Sequence, residues 1–255
     1  MSQHKDRIRE AFTTQADSYA SSAIIAAEEA RRGFVKFIGP QPSDRVLDIA
    51  TGPGFLALLF AEQVAGVIGV DLTPAMLERA EANRLKRGLT NVQFQEGDAE
   101  LLSFPNATFD IVICGNAFHH FTEPNHILAE MVRMTKQNGK VAITDTITSE
   151  NPDQASLHNK LERWRDPSHI RNLPLTELVS LFEKAGLQDI RTATYDTQRE
   201  LKEWFNISHT PFDVAERVRT AFIASISNDA TGLSVHYNGE YVSFTHTVAW
   251  IFGRR

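Results

Sequence analysis

The sequence predicts an α/β protein: a doubly wound, mostly parallel, seven-stranded sheet with helical cap insertions. Three observations predict it. Strand-length apolar stretches alternate with helix-length amphipathic ones between residues 45 and 147. Several of those stretches (RVLDIA, GVIGVD, DIVICG) are almost continuously apolar, the pattern of parallel strands covered on both faces. A Gly-Pro-Gly turn joins the first of them to the next helix, where open sheets of this kind bind ligands. Right-handed crossovers then distribute the helices over both faces.

Each element has its own signal. The first forty residues read as helical: a charged segment, Lys5 to Phe12, then an Ala-rich amphipathic segment, Ser22 to Ile38, stopped by Gly39-Pro40. Arg45 to Ala50 is the first strand, Phe55 to Val64 a helix, and Gly66 to Asp71 the second strand. Thr73 is placed to cap a helix that has Pro74 at its first position and ends near Arg87. Strands follow at Asn91 to Glu96 and Asp110 to Gly115. A helix from His126 to Thr135 stops at Asn138-Gly139, before a fifth strand, Lys140 to Thr146. Beyond residue 147 the regularity lapses. Residues 148–172 are polar and contain Asn151-Pro152 and Asp166-Pro167. Thr176 to Ala185 is a helix ended by Gly186, and Ile190 to Tyr195 a strand. Residues 198–228 form two helices rich in aromatics, and Asn238-Gly239 is a turn before a last strand, Tyr241 to Phe252. We read one domain, 1–255. It has an N-terminal helical lid (1–40), a ligand-binding core (45–147), and caps at 148–175 and 198–230.

Composition narrows the function classes. The chain has 255 residues, of which 42% are hydrophobic, enough for a large core and unlike disordered, collagenous or coiled-coil sequences. A net charge of −6 disfavours nucleic acid as a partner, because the protein would repel the phosphates. The single cysteine, Cys114, excludes an intramolecular disulfide and a cysteine-built zinc or iron–sulfur centre. The first thirty residues are charged and lack a signal-type apolar core. The longest apolar run, Phe55 to Ala61, is far short of the roughly 20 residues that span a bilayer. The expectation is a cytoplasmic protein, monomer or homodimer, with no membrane span.

The turn itself offers two readings. Gly52-Pro53-Gly54-Phe55-Leu56-Ala57 fits the dinucleotide fingerprint G-x-G-x-x-A, and Asp71 follows Gly54 by 17 residues, near the expected ribose carboxylate. Against this stands Asp48, four residues before Gly52, whose charge would repel a pyrophosphate. A cationic ligand would be welcome there. Asp48 beside the glycines, Asp71 ending strand two, and Gly97-Asp98-Ala99 ending strand three together resemble the class I S-adenosylmethionine (SAM)-dependent methyltransferases, over roughly residues 40–195. Phe109-Asp110 and Asn138-Gly139 also match.

The resemblance implies that SAM is the cofactor and S-adenosylhomocysteine its product. It implies that Ala50, Thr51, Gly52 and Gly54 lie along the methionine part and that Asp71, with Leu72 and Met76 nearby, takes the ribose hydroxyls. It further implies that Asp98 accepts from the adenine amino group with Gly97 and Ala99 beside the ring. The family usually has glycine where this chain has Ala50. Each carboxylate also has a plainer role open to it: Asp48 tying down the turn, Asp71 capping a helix, Asp98 serving as a turn residue.

The tract Cys114-Gly115-Asn116-Ala117-Phe118-His119-His120-Phe121 lacks the Pro-Pro-Tyr type motif of adenine and glutamine N-methyltransferases. It is similar to small-molecule methyltransferases of the ubiquinone and menaquinone biosynthesis type. Phe12-x3-Ala16-x2-Tyr19 and Arg165-Asp166-Pro167-Ser168-His169-Ile170-Arg171 resemble them too. That likeness implies Tyr19 over the cofactor, Asn116 beside it, and cap residues closing the pocket. His119, His120 and His169 are the candidate bases, His119 first, because imidazole titrates near neutrality. Trp164 and Arg171 are candidate acceptor contacts; Arg171 would pair an anionic acceptor or anchor its loop through Asp166. Asp145 ends strand five, but no cluster of carboxylates and an amide is evident around it, so no metal is expected. The predicted activity is methyl transfer to O, N or C of a small organic acceptor. SAM binding without methyl transfer (a cyclase, lyase or regulator), an RNA or protein methyltransferase and a nicotinamide oxidoreductase are the alternatives.

Overall fold

The computed structural model describes residues 2–255, with side chains described for all of these except residues 2 and 19–27. Helix α1 (Ser2–Ile38) leads into strand β1 (Arg45–Ile49), helix α2 (Phe55–Ala61), β2 (Gly66–Asp71), α3 (Pro74–Arg87), β3 (Val92–Glu96) and β4 (Phe109–Gly115). A short 3₁₀ turn (Phe118–His120) precedes α4 (Pro124–Met134) and β5 (Thr135–Ile147). Then come α5 (Pro152–Arg165), α6 (Leu175–Lys184), β6 (Gln188–Glu200), α7 (Leu201–Ile207), α8 (Phe212–Ser225), β7 (His236–Asn238) and β8 (Tyr241–Arg254).

The strands form one sheet in the order β3-β2-β1-β4-β5-β8-β6, with the short β7 added on β8. β1 to β5 run parallel; β8 is antiparallel to both β5 and β6. The chain therefore winds outward from β1 to β3, then returns to β4 on the other side of β1. That reversal opens a crevice at the carboxyl ends of β1 and β4, which is where ligands bind in such sheets.

The pleat sorts the apolar side chains onto two faces. Val46, Ile111, Ile113, Ala142 and Phe252 pack with Phe34, Val35 and Ile38 of α1 and with Leu56 to Ala61 of α2. Leu47, Ile49, Val112, Val141, Ile143 and Ile251 pack with α4 and α6. All seven residues of α2 are buried, which its sequence FLALLFA allows and an amphipathic sequence would not. Lys140 closes the first face by donating to the carbonyls of Ile38 (2.6 Å) and Gly39 (2.9 Å), satisfying the end of α1.

The register places the cap. Ile147 pairs with Thr247, so β8 residues 241–246 continue beyond the carboxyl end of β5. β6 accompanies them there, pairing Glu200 with Ser243. On this overhang α5, α7 and α8 build a third core around Leu161, Trp204, Val218, Phe222 and Phe244. It stands directly over the crevice.

Several boundaries differ from expectation. The cap stretch 148–172, expected to be helical, is helical only over residues 152–165, where the Asn151 side chain accepts from the amides of Asp153 and Gln154 and Pro152 fills the first position. The helix expected to run to Val64 stops at Ala61. Asn138-Gly139 does not separate α4 from β5; α4 ends at Met134, and the irregularity lies within β5, where pairing jumps from Phe109–Thr135 to Ile111–Lys140. The Asn238-Gly239 turn closes a hairpin, so an eighth strand, β7, joins the seven expected.

Ala50, where the family resemblance led us to expect glycine, adopts φ 54°. The left-handed region costs an alanine about 1–2 kcal/mol, while glycine adds about 0.5–1 kcal/mol of unfolded-chain entropy. Chemical denaturation of Ala50→Gly is therefore expected to show equal stability or a gain of up to about 1 kcal/mol. A clear loss would mean that the methyl group's packing outweighs the strain.

Candidate active site

Asp48 sits at the centre of the β1 turn and is almost fully buried. It accepts from the Thr51 hydroxyl (2.7 Å) and the Ala57 amide (3.1 Å), fixing the turn to the first residues of α2. Burial pushes its pKa up to about 7 against those hydrogen bonds. Gly52 has φ 53°, and a Cβ there would meet nothing within 4 Å, so its open side is the cavity. Its amide donates to Asp71 Oδ2 (2.8 Å), while Asp71 Oδ1 accepts from the Thr73 amide (2.9 Å). Burial raises the Asp71 pKa as well. Gly54 has a different task from the one expected. It caps α2 at φ 78°, and a Cβ would lie 2.7 Å from the Phe94 ring and 3.1 Å from Ala80. It permits helix–sheet packing rather than ligand approach.

Asp48, Ala50, Thr51, Gly52, Asp71, Leu72, Met76, Gly97, Asp98, Ala99 and Asn116 all line one cavity at the carboxyl ends of β1 to β4. The only described residue of the expected cofactor set absent from that lining is Gly54; Tyr19 lies outside the residues whose side chains are described. Helix α1 roofs the cavity through Lys5, Ile8 and Phe12. Lys5 donates to Asp98 (2.6 Å) and Glu100 (2.5 Å), and His4 Nε2 meets the His120 carbonyl (2.9 Å). Lys5 was not singled out from the sequence. The signal was there: Lys5, Ile8 and Phe12 share one helical face.

A second cavity of about 520 Å³ lies between the sheet and the cap. His119, His120 and His169 meet in its wall, with ring centroids 4.1 Å (His119 to His120) and 5.3 Å (His119 to His169) apart. Their environments differ. Asp145 accepts from the His119 amide (2.9 Å) and pairs with His119 Nδ1 (2.7 Å), leaving Nε2 as the nitrogen available to the cavity. Burial opposes a charge on His119, but the Asp145 carboxylate overcomes it and raises the pKa above the ordinary imidazole value. His120 Nδ1 faces the Ser168 carbonyl (2.9 Å); burial, reinforced by His119, pushes its pKa down to about 4. His169 Nε2 meets Asn159 Oδ1 (3.0 Å), and burial takes its pKa down to about 2. Of the three, His119 has the environment of a general base.

Trp164 and Arg171 are not brought to this cavity. Trp164 packs into the cap core with the Arg217 guanidinium 3.4 Å from its ring centroid, and Trp204 takes the place at the wall. Arg171 is half-exposed and pairs with Glu177 (3.0 and 2.5 Å), not with Asp166. Asp166 instead accepts from the Ser168 amide (2.9 Å) and hydroxyl (2.5 Å), bracing the loop under His120. Asp145 is the functional partner the sequence did not assign. Its signal was topological: β4 and β5 are parallel neighbours, so the residue ending one faces the turn leaving the other.

A glycine turn at the switch point, carboxylates ending β1 and β2 and following β3, and this strand order define a class I methyltransferase. Residues 40–208 match the family model described as "Methyltransferase domain". The chain belongs to that family, among the class I SAM-dependent methyltransferases. It is 33% identical over 237 residues to the uncharacterised methyltransferase YcgJ of Bacillus subtilis, covering 91% of this chain and 93% of that one. The YcgJ crystal structure superposes with a TM-score of 0.83 at 32% identity, over 89% of this chain and 98% of the other. A demethylmenaquinone methyltransferase of Thermus thermophilus is 36% identical over 117 residues, 45% of this chain and 53% of that protein. A Haemonchus contortus phosphoethanolamine N-methyltransferase, solved with phosphomonomethylethanolamine and S-adenosylhomocysteine, shares the fold (TM-score 0.69, 19% identity, 99% of this chain and 60% of that one).

Replacing Asp145 by Asn removes the charge that raises His119. The His119 pKa in Asp145→Asn is expected to fall below its wild-type value in an imidazole NMR titration. An unmoved His119 titration would refute the pairing.

Proposed function

We propose that the protein transfers a methyl group from SAM to O, N or C of a small organic acceptor held in the cavity under the cap. One observation carries the reading: the two cavities meet. Phe12, Arg31, Asn116 and His120 line both, so a ligand along the glycine turn and one beside His119 would touch across these four residues.

The first cavity suits SAM on its own chemistry. Gly52 presents an unfilled position to it, Asp71 keeps carboxylate lone pairs beyond its two amide bonds, and Asp98 lies at the far end. Bound SAM would supply a sulfonium methyl group that passes in line to the acceptor. The chain's residues then have three tasks. The turn, Asp71 and Asp98 hold the donor in one pose. The cavity wall of Tyr195, Trp204 and Val248 packs the acceptor against it. Such positioning is worth roughly 7–11 kcal/mol at best. His119 Nε2 accepts a proton from the acceptor's hydroxyl, amine or acidic carbon, with Asp145 stabilising the imidazolium that results. The relatives named as methyltransferases of small molecules support this acceptor class, as does a net charge of −6, which is poor for nucleic acid.

Calorimetry with SAM, S-adenosylhomocysteine and NAD tests the donor. SAM and its product are expected to bind and NAD not to. Asp71→Ala should weaken SAM binding by about 1–3 kcal/mol with the fold intact; unchanged affinity would sink the ribose assignment. Accumulation of S-adenosylhomocysteine only when an acceptor is added separates methyl transfer from mere SAM binding.

With an acceptor in hand, His119→Ala should lower kcat by about 10²–10⁴-fold while SAM affinity holds. A base works only when neutral, so kcat should rise with pH through the His119 pKa, above the ordinary imidazole range. The groups facing it are Asp145, His120, His169, Glu162 and Asp166, and Asp145→Asn should move that limb to lower pH. A flat profile in both enzymes would remove His119 from proton transfer.

A further inference from the structure

Deep in the cap wall lies a donor set that methyl transfer does not use. Among the described residues, His158, Glu162 and His246 form the one group of three whose ligand atoms all lie within 4.8 Å of one another. His158 and Glu162 are one turn apart on α5, so their side chains share a face. His246 comes from the overhanging part of β8, its ring stacked 5.6 Å from that of His158 and its Nε2 3.5 Å from Glu162 Oε1. All three are buried, with side-chain exposures of 2%, 4% and 7%.

The distances are those of ligands rather than of hydrogen-bond partners. Glu162 Oε1 is 3.6 Å from His158 Nε2 and 3.5 Å from His246 Nε2. Both exceed a good N–H···O bond of about 2.7–3.2 Å. A tetrahedral site with bonds of about 2.0–2.1 Å sets its ligand atoms about 3.3–3.4 Å apart. Both Nε2 atoms are buried without a hydrogen-bond partner, an arrangement that costs free energy unless something occupies the space between them. The carboxylate is also aimed. Arg165 donates to Oε2 through Nε (3.2 Å) and Nη2 (3.0 Å), which turns Oε1 toward the two imidazoles. Outer hydrogen bonds of this kind orient metal ligands. Finally, Glu162 and His246 line the 520 Å³ cavity, whereas His158 stands behind them. Three protein ligands with the remaining side open to a cavity is the pattern of a zinc site that takes an exogenous ligand.

We propose that His158, Glu162 and His246 bind a divalent cation of the zinc class, whose free coordination position faces the acceptor cavity and takes an anionic oxygen or sulfur of the acceptor. The two nitrogens and one carboxylate oxygen suit zinc, and the two spacings to Glu162 are nearer those of four-coordinate than of octahedral geometry. The cation thus supplies the anchoring charge that Arg171, paired elsewhere, does not. The acceptor class narrows to molecules carrying a carboxylate, phenolate or thiolate besides the methylated atom. This last clause rests on the methyl-transfer reading; the metal site does not.

The test uses full-length protein stripped with a chelator and titrated with Co²⁺, then Zn²⁺. One equivalent of Co²⁺ is expected to bind with the intense visible absorption of a four-coordinate site, and one equivalent of Zn²⁺ to bleach it. His246→Gln and Glu162→Gln should each weaken Co²⁺ binding by at least about tenfold, on the scale seen for disturbed metal shells, while His236→Gln should not. Acetohydroxamate, a chelating anion, should shift the cobalt spectrum through the open position. Absence of stoichiometric Co²⁺ binding by the wild-type protein would overturn the site, whatever the variants do. Retained wild-type affinity in His246→Gln would also overturn it. A spectrum indifferent to acetohydroxamate would overturn the open position. SAM titrated in parallel keeps the two readings apart: cobalt binding without SAM binding defeats the methyl-transfer reading alone, and SAM binding without cobalt defeats the metal alone.

Discussion

Everything at the candidate site depends on one buried carboxylate. Asp48 interrupts the buried apolar part of β1, and its burial is costly enough to carry its pKa up to about 7. The cost is offset because it accepts simultaneously from Thr51 in the turn and Ala57 in α2. Those two bonds lock β1, the glycine turn and the central buried helix into one unit. The turn in turn presents the Gly52 amide to Asp71, which ties the end of β2 to the end of β1. Two carboxylates thereby define a surface of backbone at the switch point that no apolar side chain could organise. The function expected for Asp48 from its charge and the plainer function of holding the turn are not alternatives. The residue lines the cavity while it holds the turn.

The N-terminal helix joins this unit to the rest of the site. Lys5 bridges Asp98 and Glu100, and His4 meets the carbonyl of His120, so α1 reaches both the end of β3 and the tract after β4. Phe12 then sets its ring edge-on to His120 with centroids 5.1 Å apart. The roof of the first cavity is thus in direct contact with a wall residue of the second. The Lys5 bonds occupy Asp98, the carboxylate that the sequence expectation gave to the adenine amino group.

The parallel core was legible because its strands announce themselves twice, by apolar runs and by turns at their ends. The end-of-strand carboxylates were legible too: Asp71 stands where the apolar run GVIGV stops, and Asp98 follows the third strand in a Gly-Asp turn. What could not be read was anything that needs two distant segments in register. Asp145 acquires its meaning only when β5 is set beside β4. His246 meets Glu162 only because β8 overshoots β5 and carries the cap on its overhang. Trp164, expected at the acceptor, is not at the cavity for the same reason, and Trp204 lines it instead. Both are cap aromatics in the sequence, and only the packing of α7 against β8 turns Trp204 to the cavity and leaves Trp164 under Arg217. Gly54 was read as ligand-facing because the fingerprint does not reveal that Phe94, forty residues on, fills the space beside it.

The three adjacent imidazoles illustrate how position alone divides labour among identical side chains. Placed within 4.1 to 6.4 Å of one another, they cannot all carry a proton, since each charge penalises the next. The one carboxylate within bonding distance of an imidazole nitrogen among these three is Asp145, and it selects His119. His120 and His169 are then left neutral, held by a carbonyl and an amide oxygen that demand nothing of their charge. Neutrality suits their places: His120 lines both cavities, where a buried charge without a carboxylate partner would be costly, and His119, which lines only the second, keeps the carboxylate that lets it hold a proton.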